Sequence, residues 1–290
     1  MIDVAILVSE KYCKQSNPDD IALKKALMML GHTSQIVAWD DESIDFSAFK
    51  IAIIRSCWDY DQRLDEFLKR MNFIESKCLL LNPYRTIKEN SNKFYLKDLQ
   101  KRGVSVVPTI FINSESDFHK QSINFDSQQV IIKPVVSASG RDTYRYKSDD
   151  FKGIQETIKK IVESKSVMIQ PYIESIETSG ERSTVVIEGV PVFTMQKKPA
   201  EGGFLVHKHW GGTYNEITAT EKDLLFLQKV YDVLEEKPLY MRVDYVYDNN
   251  NKPLLLELEL IEPNLYLQRN DRGLKILSEK LSTILKKEFK

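Results

Sequence analysis

The sequence predicts an α/β unit followed by smaller α+β units, and three observations carry that expectation. Residues 4–8 are apolar and β-branched, as in a buried strand, and residues 20–30 then place apolar side chains at helical spacing before Gly31. The same strand–helix–strand rhythm continues to residue 81. Beyond residue 170 the signals change to hairpins, with turns at Glu188-Gly189 and at Asp248-Asn-Asn-Asn251.

Taken in order, residues 35–38, 51–54 and 79–81 read as short buried strands and 64–74 as a helix. Residues 1–88 therefore form an α/β unit with a parallel sheet. The loop Arg55-Ser-Cys-Trp58-Asp59-Tyr60 lies beyond the carboxyl end of a strand, where such sheets bind ligands. Packing of Trp58 onto a helix end is an equal alternative. A second unit, 89–169, begins with a helix over 91–101 that Gly103 ends. Strands follow at 106–112 and 130–136, then the small polar loop Ser137-Ala-Ser139-Gly140, a strand at 141–146, a helix at 150–163 and a strand from 167. The third unit, 170–290, holds hairpins 183–187/190–196 and 240–247/253–261 and closes on an amphipathic helix over 273–289.

Composition narrows the function. Lys plus Arg number 41 against 42 Asp plus Glu, a net charge of −1, which argues against a nucleic-acid or membrane coat. A hydrophobic fraction of 42% excludes wholesale disorder. The three cysteines, Cys13, Cys57 and Cys78, show neither disulfide nor zinc spacing. No signal-peptide pattern or apolar run of membrane-spanning length occurs, so the expected location is the cytoplasm.

The chemistry concentrates in the last hairpin. Alternation in 253–261 puts Leu254, Leu256, Leu258 and Leu260 on one face and Glu257 and Glu259 on the other. In the partner strand Arg242 and Asp244 share a face, and folding at Asn250 sets Asp244 across from Glu257. Three carboxylates so close repel unless a cation or basic side chain lies between them. A hard divalent ion held with substrate phosphates answers that need, and a solvated acidic face is the alternative.

Lys133 interrupts the apolar run 130–136, and a charge there needs an edge position or an anionic partner. Lys93 lies near a helix start, where a cation is unfavourable without a nearby anion. Backbone N–H groups of the 137–140 turn could wrap phosphates. Neither a P-loop nor a Gly-x-Gly-x-x-Gly pattern occurs, and no His-Glu-x-x-His or Gly-x-Ser-x-Gly is present. His207 and His209 sit in a glycine-rich loop with Gly211 and Gly212, which suits substrate contact or plain exposure better than metal ligation.

In sequence order, Lys93, Val-Ile-Ile-Lys133-Pro, the small-residue loop, Gln170-Pro171-Tyr172-Ile173, Gly180-Glu181, Arg242-Val-Asp244 and Glu257-Leu-Glu259 resemble the ATP-grasp ligases. Arg55-Ser-Cys-Trp58-Asp-Tyr60, Ser139-Gly140-Arg-Asp-Thr and Leu-Glu-Leu-Ile-Glu262-Pro are similar to the subgroup containing the cycloserine-forming cyclo-ligase. Glutathione synthetase-like and ribosomal-protein glutamate ligase-like enzymes are neighbouring groups. The resemblance implies an ATP-grasp fold with an N-terminal Rossmann-like (pre-ATP-grasp) domain. ATP would be held by Lys93, Lys133, Ser139 and Gly140 at its phosphates, Gln170, Pro171, Tyr172 and Ile173 at adenine, and Glu181 at ribose. Asp244, Glu257 and Glu259 would ligate one or two Mg²⁺ ions, or Mn²⁺, while Arg242 and Lys133 would serve catalysis. Arg55, Trp58, Asp59, His207, Gly211 and Gly212 would face an amino-acid-like small molecule.

The implied reaction joins a carboxylate to an amine through an acyl phosphate, releasing ADP and phosphate, in a monomer or homodimer. A small-molecule kinase and a non-catalytic ATP-binding protein are the alternatives. Two departures matter. Glu259 stands where the family usually has Asn, and Leu205 aligns where relatives tend to place Arg, so a basic role there would pass to Lys197, Lys198 or Lys208.

Overall fold

The structure, a computed structural model, describes residues 1–120, 125 and 127–289. The N-terminal strands β1 (Ile2–Val8), β2 (Ser34–Ala38), β3 (Phe49–Ile54) and β4 (Leu79–Leu81) form a parallel sheet in the order β2-β1-β3-β4. Helices α1 (Glu10–Gln15), α2 (Pro18–Met29) and α3 (Leu64–Glu75) are interspersed among these strands. The short α1 was not expected. Its six residues have no buried face, so periodicity gave no signal.

Of the anticipated helix over 91–101 only the later part is α-helical, as α5 (Tyr95–Lys101), and a further helix that was not expected, α4 (Tyr84–Asn90), precedes it. The turn between them bonds the Lys93 N–H to the Val135 carbonyl, which brings the lysine against the next unit. A second sheet runs β5-β8-β6-β7, from β5 (Ile110–Ile112), β6 (Gln129–Pro134), β7 (Tyr144–Lys147) and β8 (Val167–Pro171). Around it lie α6 (Glu115–Lys120) and α7 (Phe151–Val162). The expected strand 106–112 is shorter because Val106 and Val107 turn away to pair with Leu255. Strand β7 starts later than expected, because Arg141 and Thr143 belong to the preceding turn. Strand β8 runs through Pro171, so the expected division between residues 169 and 170 falls inside one strand.

The third sheet has the order β11-β10-β9-β12-β13 and is antiparallel throughout. Its members are β9 (Glu181–Ile187), β10 (Val190–Lys198), β11 (Thr213–Ile217), β12 (Tyr240–Tyr247) and β13 (Pro253–Glu259). Helices α8 (Ser175–Thr178), α9 (Glu221–Asp232) and α10 (Asp271–Glu288) accompany it. Thr220 and Asp223 cap α9 reciprocally, and this T-x-x-D pattern was a readable start signal that the sequence analysis passed over. One apolar cluster joins Val4, Ile6 and Leu23 to Val185, Met195 and Leu281, so the first and third sheets share a core. Among the described residues no helix is long and apolar enough to cross a membrane.

Register in the last hairpin sets Arg242 opposite Glu259 and Asp244 opposite Glu257. A bulge beyond Asp244 breaks the expected run of leucines on one face. Leu255, Leu258 and Leu260 enter the core with Met241, Val243 and Tyr245, whereas Leu254 and Leu256 pack toward Val107, Ile176, Val206 and Val246.

Candidate active site

A cleft of about 520 Å³ is walled by the second and third sheets and by the Trp58 loop, within the usual range for small-molecule sites. Lys93, Lys133, Ser139, Gly140, Gln170, Pro171, Tyr172, Ile173, Glu181, Arg242, Asp244, Glu257, Glu259, Trp58 and His207 all line it. Residues more than 160 positions apart are thus gathered by three sheets.

Four anticipated residues lie elsewhere. Arg55 is buried, donates to the Pro263 carbonyl at 2.7 Å and sits over the Tyr240 ring, tying the first sheet to the third. Asp59 accepts from the Trp39 indole at 3.1 Å. Gly211 ends a short 3₁₀ turn with a φ of +84°. A Cβ on Gly212 would lie 2.0 Å from the Val206 carbonyl oxygen, so this glycine allows two backbone segments to touch. The signals that suggested substrate contact reflected packing at these four.

At one end of the cleft, Ile131, Ile173, Ile176 and Leu256 make an apolar slot. The Gln170 amide is committed to the Thr109 hydroxyl at 3.0 Å, and the Tyr172 N–H to the Gln129 carbonyl at 2.9 Å. The Tyr172 N–H is therefore not available to a ligand without rearrangement, whereas Gln170 keeps its second N–H and its Oε1. Toward the middle, Lys93 reaches the Ser137 carbonyl at 2.7 Å and the Glu257 carboxylate at 3.1 Å. Lys133 is on the interior strand β6, not at the edge that its charge suggested. Its ammonium makes no hydrogen bond or ion pair among the described residues, and burial depresses its pKa.

The carboxylates are not a bare acidic cluster. Among the described residues no group of three or more His, Cys, Asp or Glu side chains is gathered at metal-holding spacing. A lattice of basic side chains separates them, the second of the two solutions that repulsion allowed. Arg242 donates to both oxygens of Asp244 at 2.8 Å and also to Glu259. Lys197, paired in register with Glu181, bonds it at 3.0 Å and approaches Asp244 at 3.8 Å. Burial pushes the Asp244 pKa up, but Arg242 and Lys197 outweigh it and the net shift is down. Burial likewise opposes ionisation of Glu257, and Lys93 and Lys133 outweigh it. Glu259 goes the other way, to about 7, because burial and the neighbouring carboxylates exceed the help from Arg242.

Exposure discriminates among the three expected metal ligands. The side chain of Asp244 is only 6% exposed, whereas those of Glu257 and Glu259 are 27% and 25% exposed. The two glutamates supply hard oxygen donors open to the cleft, which fits magnesium's habit of using one or two carboxylates plus phosphate oxygens. Of the three candidate replacements for a basic residue at Leu205, Lys197 and Lys208 line the cleft and Lys198 does not.

The Ser137–Gly140 loop is clamped to the first unit. Asp61, 2% exposed, accepts from the Ala138 N–H at 3.1 Å and from Nε of Arg141 at 3.1 Å, with a further bond to Nη2. His207 packs under this loop, where a Cβ on Gly140 would lie 3.3 Å from its ring. Burial, reinforced by Lys197, lowers the His207 pKa to about 4, leaving the imidazole neutral at physiological pH.

Asp61, Arg141, the pairing of Lys197 with Glu181, the Ile131 and Leu256 walls and the aromatic residues Tyr12 and Tyr60 were not among the expected site residues. Counting the 181–198 hairpin outward from Glu188-Gly189 would have paired Lys197 with Glu181. The Asp61 contact joins distant segments and left no local signal.

Three sheets around a cleft lined by lysines and carboxylates define a nucleotide-dependent enzyme class, and family comparison agrees. Residues 92–250, more than half of the chain, match the prokaryotic glutathione synthetase ATP-grasp domain. The chain therefore belongs to the ATP-grasp family and is an ATP-dependent ligase. Residues 4–82 match the N-terminal domain of D-cycloserine synthetase DcsG. The chain is 25% identical to the cycloserine biosynthesis protein DcsG of Streptomyces lavendulae over 303 aligned positions, covering 98% of this chain and 99% of that one. A crystal structure of D-cycloserine synthetase DcsG superposes with a TM-score of 0.85 at 23% identity, covering 97% and 99% of the two chains. An ATP-grasp RimK domain protein from Sphaerobacter thermophilus gives 0.70 at 15% identity, covering 97% and 98%.

Proposed function

We propose that this ligase is ADP-forming and joins a carboxylate to an amine through an acyl phosphate on a small amino-acid-like substrate. The observation that carries the reading is the partnerless ammonium of Lys133, facing Glu257 and Glu259 across a single cleft. A half-buried ammonium that no carboxylate among the described residues bonds directly suits a phosphate, and the open carboxylates of Glu257 and Glu259 in the same cleft would suit a hard divalent ion.

Lys93 and Lys133 neutralise the phosphates, and the Ile131–Leu256 slot takes the adenine. Glu257 and Glu259 would hold Mg²⁺, which would supply charge neutralisation at the phosphoryl oxygens. Asp244, held inside by Arg242 and Lys197, orients the arginine. When phosphate and metal occupy the cleft, Arg242 is drawn toward the transferring group. The substrate carboxylate oxygen then bonds to the γ-phosphorus as the bond to ADP breaks. An amine nitrogen attacks the resulting carbonyl carbon, phosphate leaves, and the amine proton is lost. No protein nucleophile is required, and none of the cysteines lines the cleft.

The DcsG relative is named as a D-cycloserine synthetase, so ring closure within one molecule belongs among the reactions assayed. The test incubates the protein with MgATP and a panel of amino-acid, hydroxy-acid and dipeptide carboxylates, with and without hydroxylamine. ADP together with a trapped hydroxamate supports the reading. AMP and pyrophosphate, or a phosphorylated product stable to hydroxylamine, overturns it.

A further inference from the structure

Beyond the phosphate and metal end, the cleft contains a carboxylate with no assigned use. Glu262 follows β13 and is 8% exposed, yet it lines the cleft. No basic side chain pairs with it among the described residues, and its own backbone amide is the hydrogen-bond partner of its carboxylate. Burial first, and then Glu259 and Asp61, push its pKa well above the usual carboxylate range, while Arg242, which acts against them, is engaged by Asp244 and Glu259.

Its position is firmly fixed. The Trp58 indole donates to the Glu262 carbonyl at 2.9 Å, and Arg55 donates to the next carbonyl, that of Pro263. Trp58 meets Tyr12 edge to face at 4.9 Å, and both rings line the same end of the cleft. A carboxyl group with no counter-ion among the described residues, in a cleft that Tyr12 and Trp58 also line, is complementary to an ammonium group, whose charge restores the ionised carboxylate and favours an aromatic face. A neutral hydroxyl would leave the carboxylate's demand unmet.

We propose that Glu262, walled by Tyr12 and Trp58, binds the ammonium group of the substrate and makes the enzyme select amino compounds over their hydroxy counterparts. This rests on the ligase reading for the substrate's carboxylate, but its test does not depend on turnover. Serine and alanine (both enantiomers) and 2,3-diaminopropionate are titrated against glycerate and lactate in the presence of Mg²⁺ and AMPPNP, by calorimetry.

The wild type is expected to bind at least one amine about 30-fold more tightly than its hydroxy counterpart. Glu262→Gln is expected to reduce that preference to less than about threefold, and Glu262→Asp to restore part of it, with AMPPNP affinity within about twofold throughout. Equal weakening of amine and hydroxy acid in the Gln variant, retained preference in that variant, or no amine binding while AMPPNP binds would each overturn the proposal. If amines bind selectively but no ADP ever forms, the ligase reading fails and the ammonium site stands.

Discussion

Replacing Asp61 with Asn tests whether the small-residue loop must be clamped for nucleotide to bind. The carboxylate accepts three hydrogen bonds from the loop, two from the Arg141 guanidinium and one from the Ala138 N–H. Breaking a buried ion pair costs about 3–5 kcal/mol. The Arg141 side chain is 35% exposed, so solvent screening reduces that figure to about 2 kcal/mol. The carbonyl oxygen of Asn can accept two of the three bonds and leaves one Arg141 N–H unsatisfied, adding about 1 kcal/mol. A loss near 3 kcal/mol corresponds to about 100-fold in the docking equilibrium of the loop. Once the docked form becomes the minor one, the apparent Kd for MgATP rises in proportion, by about tenfold or more. Calorimetric titration of Asp61→Asn, Arg141→Met and the double variant measures the effect. The account expects coupling of at least about 1 kcal/mol between the two sites. Unchanged affinity in Asp61→Asn, or additive losses in the double variant, would refute a clamping role.

Three other substitutions probe different parts of the structure. Lys133→Met removes a half-buried, partly desolvated cation with no bonded partner among the described residues, so the ligand-free protein should melt about 2 °C or more higher while MgATP binding weakens about 100-fold; lower stability with intact binding would contradict the phosphate role. Asn82, fully buried, donates to the Tyr240 and Leu260 carbonyls and accepts from the Leu239 N–H, so Asn82→Ala should cost about 3 kcal/mol or more in urea unfolding. Asp20 is raised to about 6, first by burial, and its contribution to stability is therefore complete below its usual 3.8 and lost as pH rises through about 6. Asp20→Asn, keeping the bond from Ser56, should gain on the wild type by up to about 3 kcal/mol between pH 4 and 7, and a gap that stays constant with pH would argue against it.

Legibility in the sequence followed the range of the physical cause. Apolar runs and turn residues made the strands of the first sheet readable, and the Asp248–Asn251 turn fixed Asp244 opposite Glu257. The bulge that turns Leu256 into the cleft depends on packing against Val107 and Val206 and gave no local sign. Charged residues were located better than they were interpreted. Arg55 and Lys133 both interrupt apolar surroundings, yet one anchors two sheets through Pro263 while the other stands unpaired in the cleft. The three carboxylates were legible as a group, but their cations arrive from strands β10 and β12 and from the turn before α5. Strand alternation already set Arg242 beside Asp244, and only tertiary structure brings Lys197 and Lys93 among the carboxylates.

The most direct test of an acyl phosphate is the fate of the substrate oxygen. With a turned-over substrate whose carboxylate carries ¹⁸O, transfer to the γ-phosphorus followed by attack at carbon requires one labelled oxygen in each phosphate released. Mass spectrometry of that phosphate should show one ¹⁸O per ADP formed. Unlabelled phosphate accompanying full product formation would contradict the central claim.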